Sequence, residues 1–138
     1  MNIELKTELP GPKSRELMAQ RQAAVARGPF HVTPIFMARG SGARIEDVDG
    51  NRLLDFAGGL AVLNVGHCAP SVVAAVREQA EKSLHACFQV TPYEGYVRLC
   101  ERLNALAPGE FTKKSFLANS GAEAVENAVK IARAYTGR

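Results

Sequence analysis

Residues 113–138 read KKSFLANSGAEAVENAVKIARAYTGR. Lys113 to Ala118 has the pattern of a short strand, and Gly121 to about Thr136 that of a helix. Val125, Ala128, Val129, Ala132 and Tyr135 recur at helical spacing as its apolar stripe. Ser120 and Glu123 stand at the junction with the spacing of a capping box. A strand that runs through a glycine-bearing turn into a helix is an α/β element. The first N–H groups of a helix lack partners within it and lie at the positive end of its dipole. Gly121 allows close approach and Ser120 offers a hydroxyl, so the turn is a candidate phosphate seat. A plain helix cap accounts for the same S-x-x-E spacing, and these residues alone leave both readings open. No lysine follows Gly121 as a Walker A loop requires, which argues against a nucleoside triphosphate.

Upstream, Thr91-Pro92-Tyr93-Glu94 reads as a helix start, with Thr91 as N-cap, Pro92 at N1 and Glu94 completing a capping box. Val97, Cys100, Leu103 and Leu106 follow on one face, and Pro108-Gly109 closes the helix. Pro70 opens an earlier one, with Val72, Val73, Val76 and Ala80 on one face. Before it the pattern is β: Ile35 to Ala38, Arg44 to Val48, and a return strand Arg52 to Phe56 across an Asp49-Gly50 turn. Gly58-Gly59 interrupts this stretch, and Leu60 to Val65 is a further short apolar run. Ser14 to Arg27 reads as a helix with Ser14 as N-cap, stopped by Gly28-Pro29. Residues 1–13 read as a loose arm.

The chain has 138 residues, the size of one domain. Apolar residues make up 46% and charged residues 22%, which excludes global disorder. The net charge of +3 is scattered without a basic block, so nucleic-acid and membrane-surface roles lack support. No apolar run approaches the roughly 20 residues of a membrane span. The N-terminus has no apolar signal region. Cys68, Cys87 and Cys100 form no C-x-x-C pair and read as small buried apolar groups of a reduced, cytoplasmic protein.

Other motifs read structurally. Asp47-Val48-Asp49-Gly50-Asn51 has its glycine too early for a calcium loop and fits a hairpin turn. Gly40-Ser41-Gly42 lacks the third glycine of a dinucleotide fingerprint and reads as a turn. His31, His67 and His85 lack the spacing of a zinc site, so no metal ligand is assigned. For His67, packing or a local hydrogen bond is the default.

The segments GARIEDVDGNRLLDFAGGLAVLNVGHCAP and CFQVTPYEGYVRLCERLNALAPGEFTKKSFLANSGAEAVENAVKIARAYTGR (residues 42–70 and 87–138) resemble the class-III, pyridoxal-phosphate-dependent aminotransferases. Within that class they look most like those acting on 4-aminobutyrate. Ornithine, acetylornithine, 5-aminovalerate and other ω-amino acid aminotransferases share much of the pattern. The resemblance runs from about residue 30 to 138. It implies an α/β chain, the N-terminal segment of a type-I pyridoxal-phosphate-dependent transferase fold. The implied order is a helix, a β-meander, helices, then a strand–turn–helix entering the large domain. The implied divisions are an arm over 1–13, a small-domain segment with lead-in helices over 14–109, and the incomplete start of the cofactor domain over 110–138.

The resemblance also implies site roles. Ser120, Gly121 and Ala122 match the turn that holds the phosphate of pyridoxal 5′-phosphate, largely through backbone N–H groups. Many relatives carry serine where this chain has Ala122, so a hydroxyl is lost there while the backbone contact can remain. Leu60 matches an aliphatic position lining the substrate pocket, and Gln89 a polar residue near the active site. The family's Schiff-base lysine and its aspartate at the pyridine nitrogen lie well beyond the NSGAE motif. Lys113, Lys114 and Lys130 match neither, and no catalytic residue is assigned. The implied activity is transfer of an ω-amino group to a 2-oxo acid such as 2-oxoglutarate, by a homodimer. The expectation is an N-terminal piece of a longer enzyme that is inactive alone. A non-catalytic phosphate-binding or partner-pairing module is the alternative.

Overall fold

The computed structural model describes residues 3–138. It divides into two compact units, Met1–Lys82 and Ser83–Arg138.

The first unit is built on a three-stranded antiparallel meander of β1 (Met37–Ser41), β2 (Arg44–Asp47) and β3 (Arg52–Leu54). Ser41 pairs with Arg44 across the Gly42 turn, and Glu46 pairs with Arg52 across the Asp49-Gly50 turn. Gly50 has φ +85°, the left-handed conformation that an Asp-Gly hairpin signal anticipates. β1 sits two residues later than its apolar pattern suggested. The ladder to β2 sets its place, with an irregularity between Met37 and Arg39. Arg39 and Arg52 flank Glu46 from the neighbouring strands; the bond from Arg39 comes first among the causes holding the Glu46 carboxyl below its usual range.

Helix α1 (Pro12–Ala24) has Pro12 in its first turn, as the N1 preference requires. Its N-cap is Gly11, not Ser14, and no side chain of its own caps it. Asp49 does this instead. Its carboxylate accepts the N–H groups of Lys13 and Ser14 at 2.8 and 3.0 Å and the Ser14 hydroxyl at 2.6 Å. A Cβ at Gly11 would fall 2.3 Å from the Asp49 carboxyl carbon, so only glycine permits the approach. α1 ends at Ala24, three residues before the expected Arg27, where Val25 turns extended.

Residues 1 and 2 of the arm lie outside the described residues. The rest is tied down. Glu4 and Arg52 exchange backbone hydrogen bonds at 3.1 and 2.7 Å, and Asn51 Oδ1 accepts from the N–H groups of Lys6 and Thr7. The open edge of β3 supplies the donors and acceptors that make this possible. The fully buried side chains are therefore polar: Ser14, Asp47 and Asn51. Among the described residues no apolar side chain is buried.

Leu60 to Val65 forms no strand. Residues Gly58–Ala61 (α2) make a single turn, with φ near +60° at Leu60 and Ala61. α3 (Pro70–Lys82) follows with its Pro70 start as expected.

In the second unit α4 (Glu94–Leu106) begins after Tyr93, not at Thr91, and lacks a side-chain cap. Residues 87–91 form their own turn, in which the Cys87 carbonyl accepts from Val90 and Thr91 at 3.0 and 2.8 Å. Phe88 stacks on Tyr96 at 4.2 Å, and Tyr93 meets both rings edge-on. Lys113 to Ala118 forms no strand and has no strand partner among the described residues. It runs along α4 instead, held by Tyr96, Cys100 and Asn104. These sit four residues apart on one helix face. Tyr96 Oη accepts from the Leu117 N–H at 3.1 Å, Asn104 accepts from the Ser115 hydroxyl at 2.8 Å, and Cys100 Sγ lies 3.8 Å from the Ser115 carbonyl. α5 (Gly121–Thr136) ends on a left-handed Gly137. Cys68 and Cys87 are exposed and Cys100 is half-buried, so the expected burial of the cysteines does not hold.

Candidate functional site

The turn into α5 has the geometry its spacing predicts. Ser120 is the N-cap, with extended backbone, and its Oγ accepts the Glu123 N–H at 3.2 Å. Glu123 reaches back, its Oε2 accepting from Ser120 at 3.1 Å and from Asn119 at 2.8 Å. The capping box thus satisfies Glu123, and Ala124 donates to the Ser120 carbonyl at 3.0 Å. The N–H groups of Gly121 and Ala122 have no hydrogen-bond partner among the described residues. A Cβ at Gly121 would meet nothing within 4 Å, so the space before these donors is open. The Ser120 hydroxyl accepts in the cap and keeps its proton to donate. Two aligned N–H groups, a hydroxyl and the positive end of a helix dipole suit a phosphate dianion.

Ser120, Gly121 and Ala122 therefore stand together on one turn. Gln89 lies in the same unit, on the exposed turn Cys87–Thr91 braced by the Phe88, Tyr93 and Tyr96 rings. Leu60 belongs to the other unit. It stands on the left-handed α2 turn with 89% of its surface exposed.

Two supporting groups escaped sequence reasoning. The Tyr96–Cys100–Asn104 stripe holds the segment that delivers Ser120. Its four-residue spacing is legible in the sequence, but there it is crossed by the apolar pattern Val97–Cys100–Leu103, of which Val97 and Leu103 are exposed. The second is Asp55. Its Oδ1 accepts the N–H groups of Ala57 and Gly58 at 3.0 and 2.9 Å, and its Oδ2 lies 2.7 Å from His67 Nε2. The His67 bond, foremost, holds the Asp55 carboxyl below the usual carboxylate range. His67 thus makes a hydrogen bond, but to a partner twelve residues away and not a local one.

The carboxylates of the hairpin turn are engaged by the chain itself. Asp47 Oδ1 accepts from the N–H groups of Asp49 and Asn51, and its Oδ2 accepts from the Asn51 amide. Among the described residues no group of three or more His, Cys, Asp or Glu side chains is placed to hold a metal ion. None of their helices is long and apolar enough to cross a membrane.

A family profile described as aminotransferase class-III matches residues 24–138. The 4-aminobutyrate aminotransferase of Mycobacterium bovis is 56% identical over 97% of this chain and 30% of its own length. The 5-aminovalerate aminotransferase DavT of Pseudomonas putida is 57% identical over 91% of this chain and 29% of its length. Among solved structures, a taurine:2-oxoglutarate aminotransferase from Bifidobacterium kashiwanohense, in complex with PLP and glutamate, superposes with a TM-score of 0.78. It is 30% identical and covers 91% of this chain and 28% of that one. The chain spans about a third of the length of the curated relatives it matches.

Proposed function

The chain belongs to the class-III aminotransferase family, and on that premise we propose that it forms the N-terminal part of an ω-amino acid transaminase. The proposed reaction moves the amino group of 4-aminobutyrate to a 2-oxo acid such as 2-oxoglutarate. The match to a 4-aminobutyrate aminotransferase, 56% identical over 97% of the chain, favours that donor by its coverage; the 5-aminovalerate enzyme, 57% identical over 91%, keeps the longer ω-amino acid as a second reading. The enzyme acts as a cytoplasmic homodimer. Residues 14–109 belong to its small domain and lead-in helices, and residues 110–138 open its cofactor domain.

The cofactor of this proposal is pyridoxal 5′-phosphate, which supplies an electron sink and a carrier for the amino group. The residues present fit its phosphate. The N–H groups of Gly121 and Ala122 bind it, the Ser120 hydroxyl adds a donor, and the α5 dipole favours its charge. Ala122 contributes only backbone. Leu60 lines the donor pocket and Gln89 supplies a polar contact. No lysine of this chain is assigned to catalysis.

The observation that carries the reading is the pair of unpartnered N–H groups beside a closed capping box, which engages the N–H groups of Asn119, Ser120 and Glu123. Amide spectra of the chain titrated with pyridoxal phosphate test it. Resonances of Gly121 and Ala122 shift if the reading holds; an unchanged spectrum at both withdraws it. Initial rates of the longer enzyme with 4-aminobutyrate, 5-aminovalerate and ornithine decide the donor.

A further inference from the structure

Residues 55–67 close a loop whose two ends meet the same β1–β2 turn. The Asp55 N–H donates to the Ala43 carbonyl at 2.9 Å, and His67 and Gly42 exchange N–H···O bonds at 2.8 and 2.9 Å. Gly66 packs so tightly on this turn that a Cβ there would fall 2.8 Å from the Gly42 oxygen. The His67 ring covers Gly40, where a Cβ would fall 2.5 Å from its Cγ.

Within the loop the chain makes a left-handed helical turn. Gly58, Gly59, Leu60 and Ala61 have φ of +50°, +64°, +60° and +63°. Ala61 donates to Ala57 O, and Val62 and Leu63 to Gly58 O, at 2.9–3.0 Å. Glycines adopt this conformation freely; leucine and alanine do not, and such residues persist only where the surroundings over-determine them. Packing of Leu60 does not repay the strain, because that side chain is 89% exposed. The anchoring lies at the loop's ends. Asp55 Oδ1 accepts the N–H groups that open the turn, and Oδ2 accepts from His67 Nε2, with both side chains largely buried (12% and 15% exposed).

We propose that the Asp55–His67 pair is a latch that holds the left-handed turn and thereby sets how Leu60 is presented to the amino donor. Asp55 and His67 are then positioning residues of the donor site. This rests on the reading of Leu60 as a donor-pocket residue.

Amide exchange on the full 138-residue chain is compared for wild type, His67→Ala and His67→Gln. His67→Ala speeds exchange at Ala61, Val62 and Leu63 about tenfold or more, while the hairpin amides of Asn51 and Arg52 stay unchanged. His67→Gln restores a donor at nearly the same reach and returns the loop toward wild type. In the longer transaminase, His67→Ala raises the donor KM about tenfold with a smaller change in kcat, and His67→Gln recovers it. Unchanged loop exchange in His67→Ala overturns the latch. So does an equal rise at Asn51 and Arg52, or a His67→Gln variant as mobile as His67→Ala. A donor KM that stays put in His67→Ala while Leu60→Ala raises it overturns the positioning role. If Leu60→Ala also leaves the donor KM unchanged, the Leu60 reading has failed, and the exchange experiment judges the latch separately.

Discussion

The carboxylate of Asp49 caps helix α1 from thirty-five residues beyond Ser14, taking the Ser14 hydroxyl at 2.6 Å and the Ser14 N–H at 3.0 Å. A helix whose own sequence supplies no cap is thus started by a hairpin turn. Asp49→Ala removes the acceptor for Lys13 and Ser14, and faster amide exchange at both is the expected result. Asp49→Asn keeps one acceptor oxygen and should fall between. Equal exchange in all three proteins would show that the cap does not hold α1.

The same contacts predict an acid limit. Burial raises the Asp49 carboxyl, but the Ser14 and Lys13 bonds outweigh it and leave it below its usual range. Asp55 is lowered too, chiefly by His67. A carboxylate lowered by folding stabilises above its unfolded value and loses that contribution as pH falls through the folded one. The anchoring of α1 and of the Gly58–Ala61 loop therefore persists at neutral pH and is lost below roughly pH 3.9, the ordinary aspartate value. Amide shifts of Ser14 and Gly58 followed through acid titration check this; changes centred near pH 6 would contradict it.

Asn51 is fully buried and bonds to Asp47, Lys6 and Thr7. Asn51→Ala leaves those groups unpaired in a site that excludes water. The expected loss is about 1–3 kcal/mol in denaturant unfolding of the chain. A loss under about 0.5 kcal/mol, the range of neutral surface changes, would mean that water replaces the amide.

Gly121→Pro separates cap from ligand. Proline suits the first position of a helix, and the extended Ser120 before it tolerates the ring. α5 keeps its helicity by circular dichroism, but one donor is gone, and affinity for pyridoxal phosphate falls about tenfold. Unaltered affinity would remove the Gly121 N–H from the phosphate site.

The apolar faces of α4 and α5 are open in this chain, with Val97, Leu103, Val125, Val129 and Ile131 all exposed. Exposed apolar surface of this kind drives association. Light scattering of the 138-residue chain should report oligomers, and assays should find no turnover of 4-aminobutyrate. A stable monomer, or measurable transamination, would refute the corresponding half.

Local chemistry decided much of this protein. Ser120 and Glu123 close the capping box their spacing predicts, because the bonds span only three residues. Asp49-Gly50 makes the hairpin, and Pro70 starts a helix, for the same reason. Where partners are distant, local pattern misleads. Ser14 has the character of a cap but serves Asp49 instead, and Thr91 yields to Tyr93 because the Phe88–Tyr93–Tyr96 rings hold the preceding turn. Lys113–Ala118 has a strand's composition, but a strand exists only with a neighbour, and Tyr96, Cys100 and Asn104 hold the segment in its place. The left-handed turn at Leu60 could not be read from the apolar run around it. Its conformation is disfavoured locally and is held by Asp55 and His67, which only the tertiary structure brings to 2.7 Å.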